Sequence, residues 1–228
     1  MNNIPPVVKN LLIINVIFFV AKWVFEQQGI FLTGYLAVFY FDSPFFKIWQ
    51  PITYMFMHAN SMHIFFNMFA LYSFGPILEA HWGPKRFINF YLITGLGALA
   101  MQWAVQAFEV YQITGSAIND ISMLERMGSQ TIMDIYGGPM VGASGAIFGL
   151  LVAFAMLYPN IEMYIMFIPV PVKAKYIIPV YILIELTLGV GKFEGDSVAH
   201  FAHLGGALIG YILVKIWRNK TTYFDYYE

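Results

Sequence analysis

Cysteine is absent from this chain, which excludes disulfides, thiolate metal sites and a cysteine nucleophile. Charge is scarce as well: 11% of the 228 residues are Asp, Glu, Lys or Arg, against roughly 25% in an ordinary soluble domain. The formal net charge is −1 and no Lys/Arg cluster resembles a phosphate-binding patch, so no nucleic-acid partner is expected. There is no His-Glu-x-x-His motif, and the five-residue spacing of His58 and His63 lacks the i, i+4 geometry of a helical zinc site; no metal is expected. The chain shows no internal repeat and no low-complexity tract. No small-residue cleavage site follows the first apolar stretch, which is therefore expected to stay in place as a membrane span.

What the chain does have is hydrocarbon, with 59% hydrophobic residues. A membrane-crossing helix needs about 20 mostly apolar residues. Six stretches are read as spans: 6–25, 61–79, 85–108, 140–158, 174–190 and 197–217. The fold class is thus an all-α membrane protein, a six-helix bundle forming one domain over residues 1–228, with no further soluble module expected. Lys22 stands near the end of the first span, where it can snorkel to the surface. Ser61 is the expected N-cap of the second. The aromatic segment 30–41 is too short to cross and reads as interfacial loop structure, and 161–172, with Pro169 and Pro171, reads as a connection. The loop 109–139 is the longest and most polar connection, with a short surface helix expected at Ile121-Ser122-Met123-Leu124. With the N-terminus inside, eight basic residues fall on that side and four on the other, as the positive-inside rule requires. Both termini are expected in the cytoplasm.

Polar side chains are expensive in hydrocarbon, so those inside the spans are functional candidates. Ser144 lies about four residues into the fourth span, His203 about six into the sixth, and Asn67 about six beyond Ser61; at about 1.5 Å per residue all three sit roughly 6–9 Å below the outer boundary. A serine that an imidazole can deprotonate is a nucleophile. Gly206 and Gly210 make a small-xxx-small pair on the face that carries His203, and Gly145 and Gly149 make another beside Ser144. Such faces let helix backbones approach closely in lipid. If the two meet, His203 is carried toward Ser144, and Phe148, one turn below the serine, can pack on the imidazole. A carbonyl attacked by serine becomes an oxyanion that needs donors aimed at it. Asn67 and His63 share a face and could supply them, beside the Ser144 backbone N–H.

Each of these residues also has a plainer reading. Gly-Ala-Ser-Gly alone is ordinary small-residue packing, and His63 and Asn67 alone could be hydrogen-bond glue between helices. Gln102 could hold water or bond across helices. His58, at the membrane boundary, is expected to fasten the loop. His200 is a weaker candidate base than His203. Glu185 is expected to be protonated or hydrogen-bonded to a neighbour. His81 and Glu79 fall at the inner surface, too far away to join the chemistry.

Taken together, the ordered set resembles the rhomboid intramembrane serine proteases. The matching pattern is His58-x4-His63-x3-Asn67, Gly142-Ala143-Ser144-Gly145 and Ala202-His203-x2-Gly206-x3-Gly210, with Trp49 and Glu79-x3-Gly83 as further shared features. It extends from Trp49 to Gly210. The resemblance implies a Ser144–His203 dyad with no third acid and no cofactor. It also implies transmembrane protein substrates cut near the outer face after small residues, and a multi-pass protein among the lipids of a bacterial cytoplasmic membrane. Three departures stand out. Gln50 follows Trp49 where many members carry arginine, which weakens the expected anchoring of that loop. Phe148 takes the place of an aromatic that is often tyrosine, and the 109–139 loop is long. The rival expectations are a non-catalytic relative that binds and escorts membrane proteins, and a small transporter using the intramembrane histidines.

Overall fold

The computed structural model describes residues 4–120, 127–164, 170–191 and 199–224, with the side chains of the last helix described to Trp217. The described chain is mostly helical. Its main helices are α1 (Pro6–Glu26), the single turns α2 (Thr33–Leu36) and α3 (Gln50–Thr53), α4 (Ser61–Trp82), α5 (Pro84–Thr114), α6 (Gln130–Gly137), α7 (Ser144–Leu157), α8 (Ala174–Gly191) and α9 (His200–Phe224). Five of these are long and apolar enough to cross a membrane: α1, α4, α5, α8 and α9, the last counted to Trp217. Their outward faces carry exposed apolar side chains such as Ile17, Phe69 and Leu183, as expected where the solvent is lipid.

Helix ends follow local chemistry. Pro6 opens α1 at a position where a missing N–H matters little. The N–H groups of Val7 and Val8, which have no partner within the helix, donate to the Glu79 carboxylate at 3.0 and 2.8 Å, so α4 caps α1. The N-cap of α4 is Asn60, not the expected Ser61: its side chain accepts from the His63 N–H at 2.9 Å. Gly83, at φ 78°, separates α4 from α5, a backbone conformation that residues with a Cβ rarely adopt.

α7 departs most from expectation. The expected span 140–158 contains a helix of only 14 residues, about 21 Å long at 1.5 Å per residue and shorter than a hydrocarbon core of about 30 Å. The missing turn is used elsewhere. Met140 pairs with Val38 through two backbone hydrogen bonds of 3.0 and 2.8 Å, and Gly142, at φ 132°, is not helical. α7 is buried all round, from Gly145 to Phe154, and packs against α4, α5, α8 and α9. A helix apolar on every side belongs at the centre of a bundle.

The region 109–139 is less loop-like than expected. α5 runs on to Thr114, α6 adds two turns, and the short helix expected at Ile121–Leu124 lies outside the described residues. Tyr40, Val110, Ile132, Ile135 and Tyr136 form a second apolar cluster that joins this region to the segment before α3. Tyr40 donates to the Ala117 carbonyl (2.8 Å) and Ser43 to the Tyr136 carbonyl (2.6 Å), while Asp42 accepts from the Tyr136 hydroxyl (2.7 Å) and the Asn119 N–H (2.8 Å). Burial, with Asp42 nearby, pushes the Tyr40 hydroxyl up to about 12 and raises Tyr136 too. Both tyrosines therefore stay protonated donors at neutral pH.

Gln50 does the anchoring that its departure from arginine put in question. Fully buried, it accepts from the Lys47 N–H at 3.0 Å and donates to the Phe45 carbonyl at 3.1 Å, while the Trp49 indole N–H donates to the Tyr35 carbonyl at 2.9 Å. Between α7 and α8, Glu162–Met163 pairs antiparallel with Val172–Lys173. Pro169 and the start of the expected sixth span at 197–198 lie outside the described residues.

Candidate active site

Ser144 is the first residue of α7, not four residues inside it. Its N–H therefore belongs to the first turn, whose amides find no partner within the helix and form the positive end of the helix dipole. The preceding turn is held where the Gly142 N–H donates to the Tyr54 carbonyl at 2.9 Å. A Cβ on Gly142 would lie 2.8 Å from His63 Nε2 and 3.5 Å from Ser144 Oγ, so both side chains close on the same glycine.

Ser144 Oγ and His203 Nε2 are 2.8 Å apart. The helix seam beneath them brings this about. A Cβ on Gly206 would run into the Gly145 carbonyl, and one on Gly210 would stand 2.8 Å from Gly149 Cα, so α9 and α7 touch backbone to backbone. Phe148 stacks on the His203 ring with centroids 4.4 Å apart and planes 8° from parallel.

On α4, the Ala59 N–H points at His63 Nδ1 (3.4 Å). An Nδ1 that accepts leaves the hydrogen on Nε2, the nitrogen that faces Gly142. Asn67 is buried one turn further along, and its amide donates to the His63 carbonyl at 3.0 Å. That bond uses one of its two amide hydrogens.

The His58 ring lies edge-on to His63, with centroids 5.0 Å apart. Burial, with the His63 ring beside it, lowers His58 to about 3, so its ring is neutral. The expected fastening is done by main chain: the carbonyls of His58 and Ala59 accept from Lys22 Nζ at 3.2 and 2.9 Å, which ties up the lysine expected to snorkel.

A buried carboxylate stands behind the pair, where the resemblance implied none. Glu185 Oε2, on α8, is 2.8 Å from His203 Nδ1 and 2.6 Å from His200 Nδ1. The only sequence signal was the depth of Glu185 in its span, which does not say which way it faces. Glu185, His200 and His203 are also close enough to be considered as metal ligands, with ligand atoms within 4.8 Å of one another. Around a tetrahedral zinc, however, atoms about 2.0–2.2 Å from the ion stand roughly 3.4 Å apart. The two contacts here have the length of shared protons.

The remaining candidates lie outside this arrangement. Gln102, on α5, has a buried Oε1 that meets no donor among the described residues. His81 meets the Tyr158 hydroxyl (3.2 Å) near the last turns of α4 and α7, at the opposite end from Ser144.

The family described as Rhomboid domain matches residues 46–220. Among curated proteins, Rhomboid-like protein 11, chloroplastic, of Arabidopsis thaliana is 28% identical over 210 residues, covering 90% of this chain and 62% of that protein. RHOMBOID-like protein 12, mitochondrial, of the same plant is 29% identical, covering 90% and 56%. Rhomboid protease AarA of Providencia stuartii is 30% identical over 177 residues, covering 72% and 54%. The chain thus spans less than two thirds of the length of each of these relatives.

Proposed function

The chain belongs to the rhomboid family, and from that premise we propose that it is an intramembrane serine endopeptidase cutting transmembrane proteins near the outer membrane face. The observation that carries this reading is the 2.8 Å contact between Ser144 Oγ and His203 Nε2. As Oγ bonds to the scissile carbonyl carbon, its proton passes to Nε2. The carbonyl oxygen becomes an oxyanion at the amino end of α7, facing the Ser144 N–H, His63 Nε2–H and the second hydrogen of the Asn67 amide. His203 then returns the proton to the leaving amine, which departs and leaves an ester on Ser144. Water repeats the sequence, with its proton taken by His203, and releases the acid. Phe148 holds the imidazole plane and Gly142 leaves room for His63. Gly206 and Gly210 set the distance between α7 and α9, and Gly145, whose Cβ would run into Ala98, lets α7 lie close on α5. His58 backs His63, and Gln102 is a place to hold the water.

The protein is an integral, multi-pass membrane protein by its family and its five apolar helices. We read it as a single domain over residues 1–228 with both termini in the cytoplasm, on the excess of Lys and Arg on that side. A bacterial cytoplasmic membrane is the proposed location, with the chloroplastic and mitochondrial settings named for two relatives as the rivals.

The deciding experiment treats the purified chain in detergent with a tagged fluorophosphonate and supplies a single-span substrate. Labelling and cleavage are expected, and both should vanish in Ser144→Ala while the protein stays folded. A folded wild-type chain that neither labels nor cuts would leave the non-catalytic escort reading in place.

A further inference from the structure

Glu185 Oε2 is the meeting point of two imidazoles, at 2.6 Å from His200 Nδ1 and 2.8 Å from His203 Nδ1. All three side chains are withdrawn from solvent, with 7% exposure for Glu185 and His200 and 12% for His203. A carboxylate is among the most expensive groups to place at this depth, and one found there is a functional candidate. We propose that Glu185 is a positioning residue for the base, so that this chain works with a Ser144–His203–Glu185 relay in place of a bare dyad. This rests on the hydrolytic reading of Ser144 and His203.

Proton placement supports it. An ionised Oε2 can accept from both Nδ1–H groups at once, using both short contacts. His203 then carries its hydrogen on Nδ1 and keeps the Nε2 lone pair for the serine proton. If Glu185 instead donated its own proton to His203 Nδ1, the ring hydrogen would sit on Nε2, and Ser144 could not be deprotonated there. The carboxylate therefore selects the competent tautomer. It also fixes the ring. Phe148 controls the plane of the imidazole, and Glu185 and Ser144 hold its opposite edges, so a flip about the Cβ–Cγ bond breaks both hydrogen bonds. When the serine proton arrives, the imidazolium forms beside a negative charge in a medium of low dielectric, where that attraction is far stronger than in water. His200 serves as the second donor and keeps Oε2 in place while His203 takes up and releases its proton.

The competing account is a structural one: the same bonds could simply tie α8 to α9. The two separate on turnover per active site. Full-length wild type, Glu185→Gln, Glu185→Asp and Ser144→Ala are purified in detergent, active sites are titrated with fluorophosphonate, and kcat and KM are measured on a single-span substrate. In a Ser–His–Asp triad, replacing the acid by its amide lowers kcat about 10⁴-fold. Here kcat of Glu185→Gln is expected to fall at least about tenfold toward that limit, with KM nearly unchanged. Glu185→Asp keeps the charge on a shorter stem and should recover part of the loss. A Glu185→Gln protein with kcat per titrated site within about twofold of wild type overturns the relay while leaving the hydrolytic reading intact. If Glu185→Gln does not fold, Glu185→Asp decides: lowered kcat per site supports positioning, and fewer sites of normal kcat overturns it. Activity in Ser144→Ala would instead sink the underlying hydrolytic reading.

Discussion

The two sides of α9 are assembled by different physics. Toward α7, Gly206 and Gly210 lie directly on the backbone of Gly145 and Gly149, and a Cβ on Gly210 would come within 2.8 Å of Gly149 Cα. Toward α8 the nearest equivalent is Gly189, where a Cβ would stand tightly at 3.0 Å from His200 Cβ and at 3.5 Å from the Phe201 ring, against side-chain atoms and not main chain. The outer face of α8 carries Leu183 and Val190 at 61% and 67% exposure. In lipid there is no hydrophobic force between helices, so close van der Waals packing and polar bonds must hold them together. The α7 seam uses the first and the α8 seam leans on the second, through Glu185 and the two histidines. Serine and base are thus set by backbone contact, and the acid is joined to them by hydrogen bonds across a looser junction.

Gly206→Ala should have the largest effect, because its Cβ meets the Gly145 main chain, which has nowhere to go. Overpacking typically costs about 1–3 kcal/mol. Thermal unfolding in detergent should show a clear loss, and turnover per folded molecule should fall as His203 is pushed off Ser144. A stable, fully active variant would mean that the seam does not set that distance.

Gly189→Ala applies the same change on the α8 side. The nearest atom is His200 Cβ, which must give by a few tenths of an ångström but is not main chain, and alanine relieves a helix penalty of about 1 kcal/mol carried by glycine. Stability is expected to stay within about 1 kcal/mol of wild type, in either direction, with turnover reduced a few-fold at most. Damage equal to that of Gly206→Ala would erase the contrast between the seams.

Leu183→Ala should do least. The side chain faces outward from α8, and substitutions away from packed features usually stay within about 0.5 kcal/mol. Unfolding and turnover should both match wild type. A larger loss would show that α8 is packed on a face the structure leaves open.

Much of the fold was legible because its rules are local. Apolar runs of span length marked α1, α4 and α8 to within three residues of their ends, while α5 and α9 run on six and seven residues past the expected 108 and 217. The departure in α7 came from contacts between distant segments. The fourth span begins at Ser144 because Met140 is paired to Val38, a partner about a hundred residues away in the chain. Within the site, Gly206 and Gly210 named the face of α9 that touches α7, whereas the depth counted for Ser144 assumed helical residues from 140 onward that are not helical. Gln50 and Asp42 gave no such sign, since each acts through neighbours that only the folded outer layer assembles.

The sequence by itself determined the membrane setting and the long apolar helices, because hydropathy acts along one dimension. Rotation of each helix about its axis, and hence what faces what, was decided only by the tertiary structure. Spacing could therefore put Glu185 inside α8 without saying whether it faced lipid, α7 or α9. Packing turned it toward the two histidines, where the donors it needs are found.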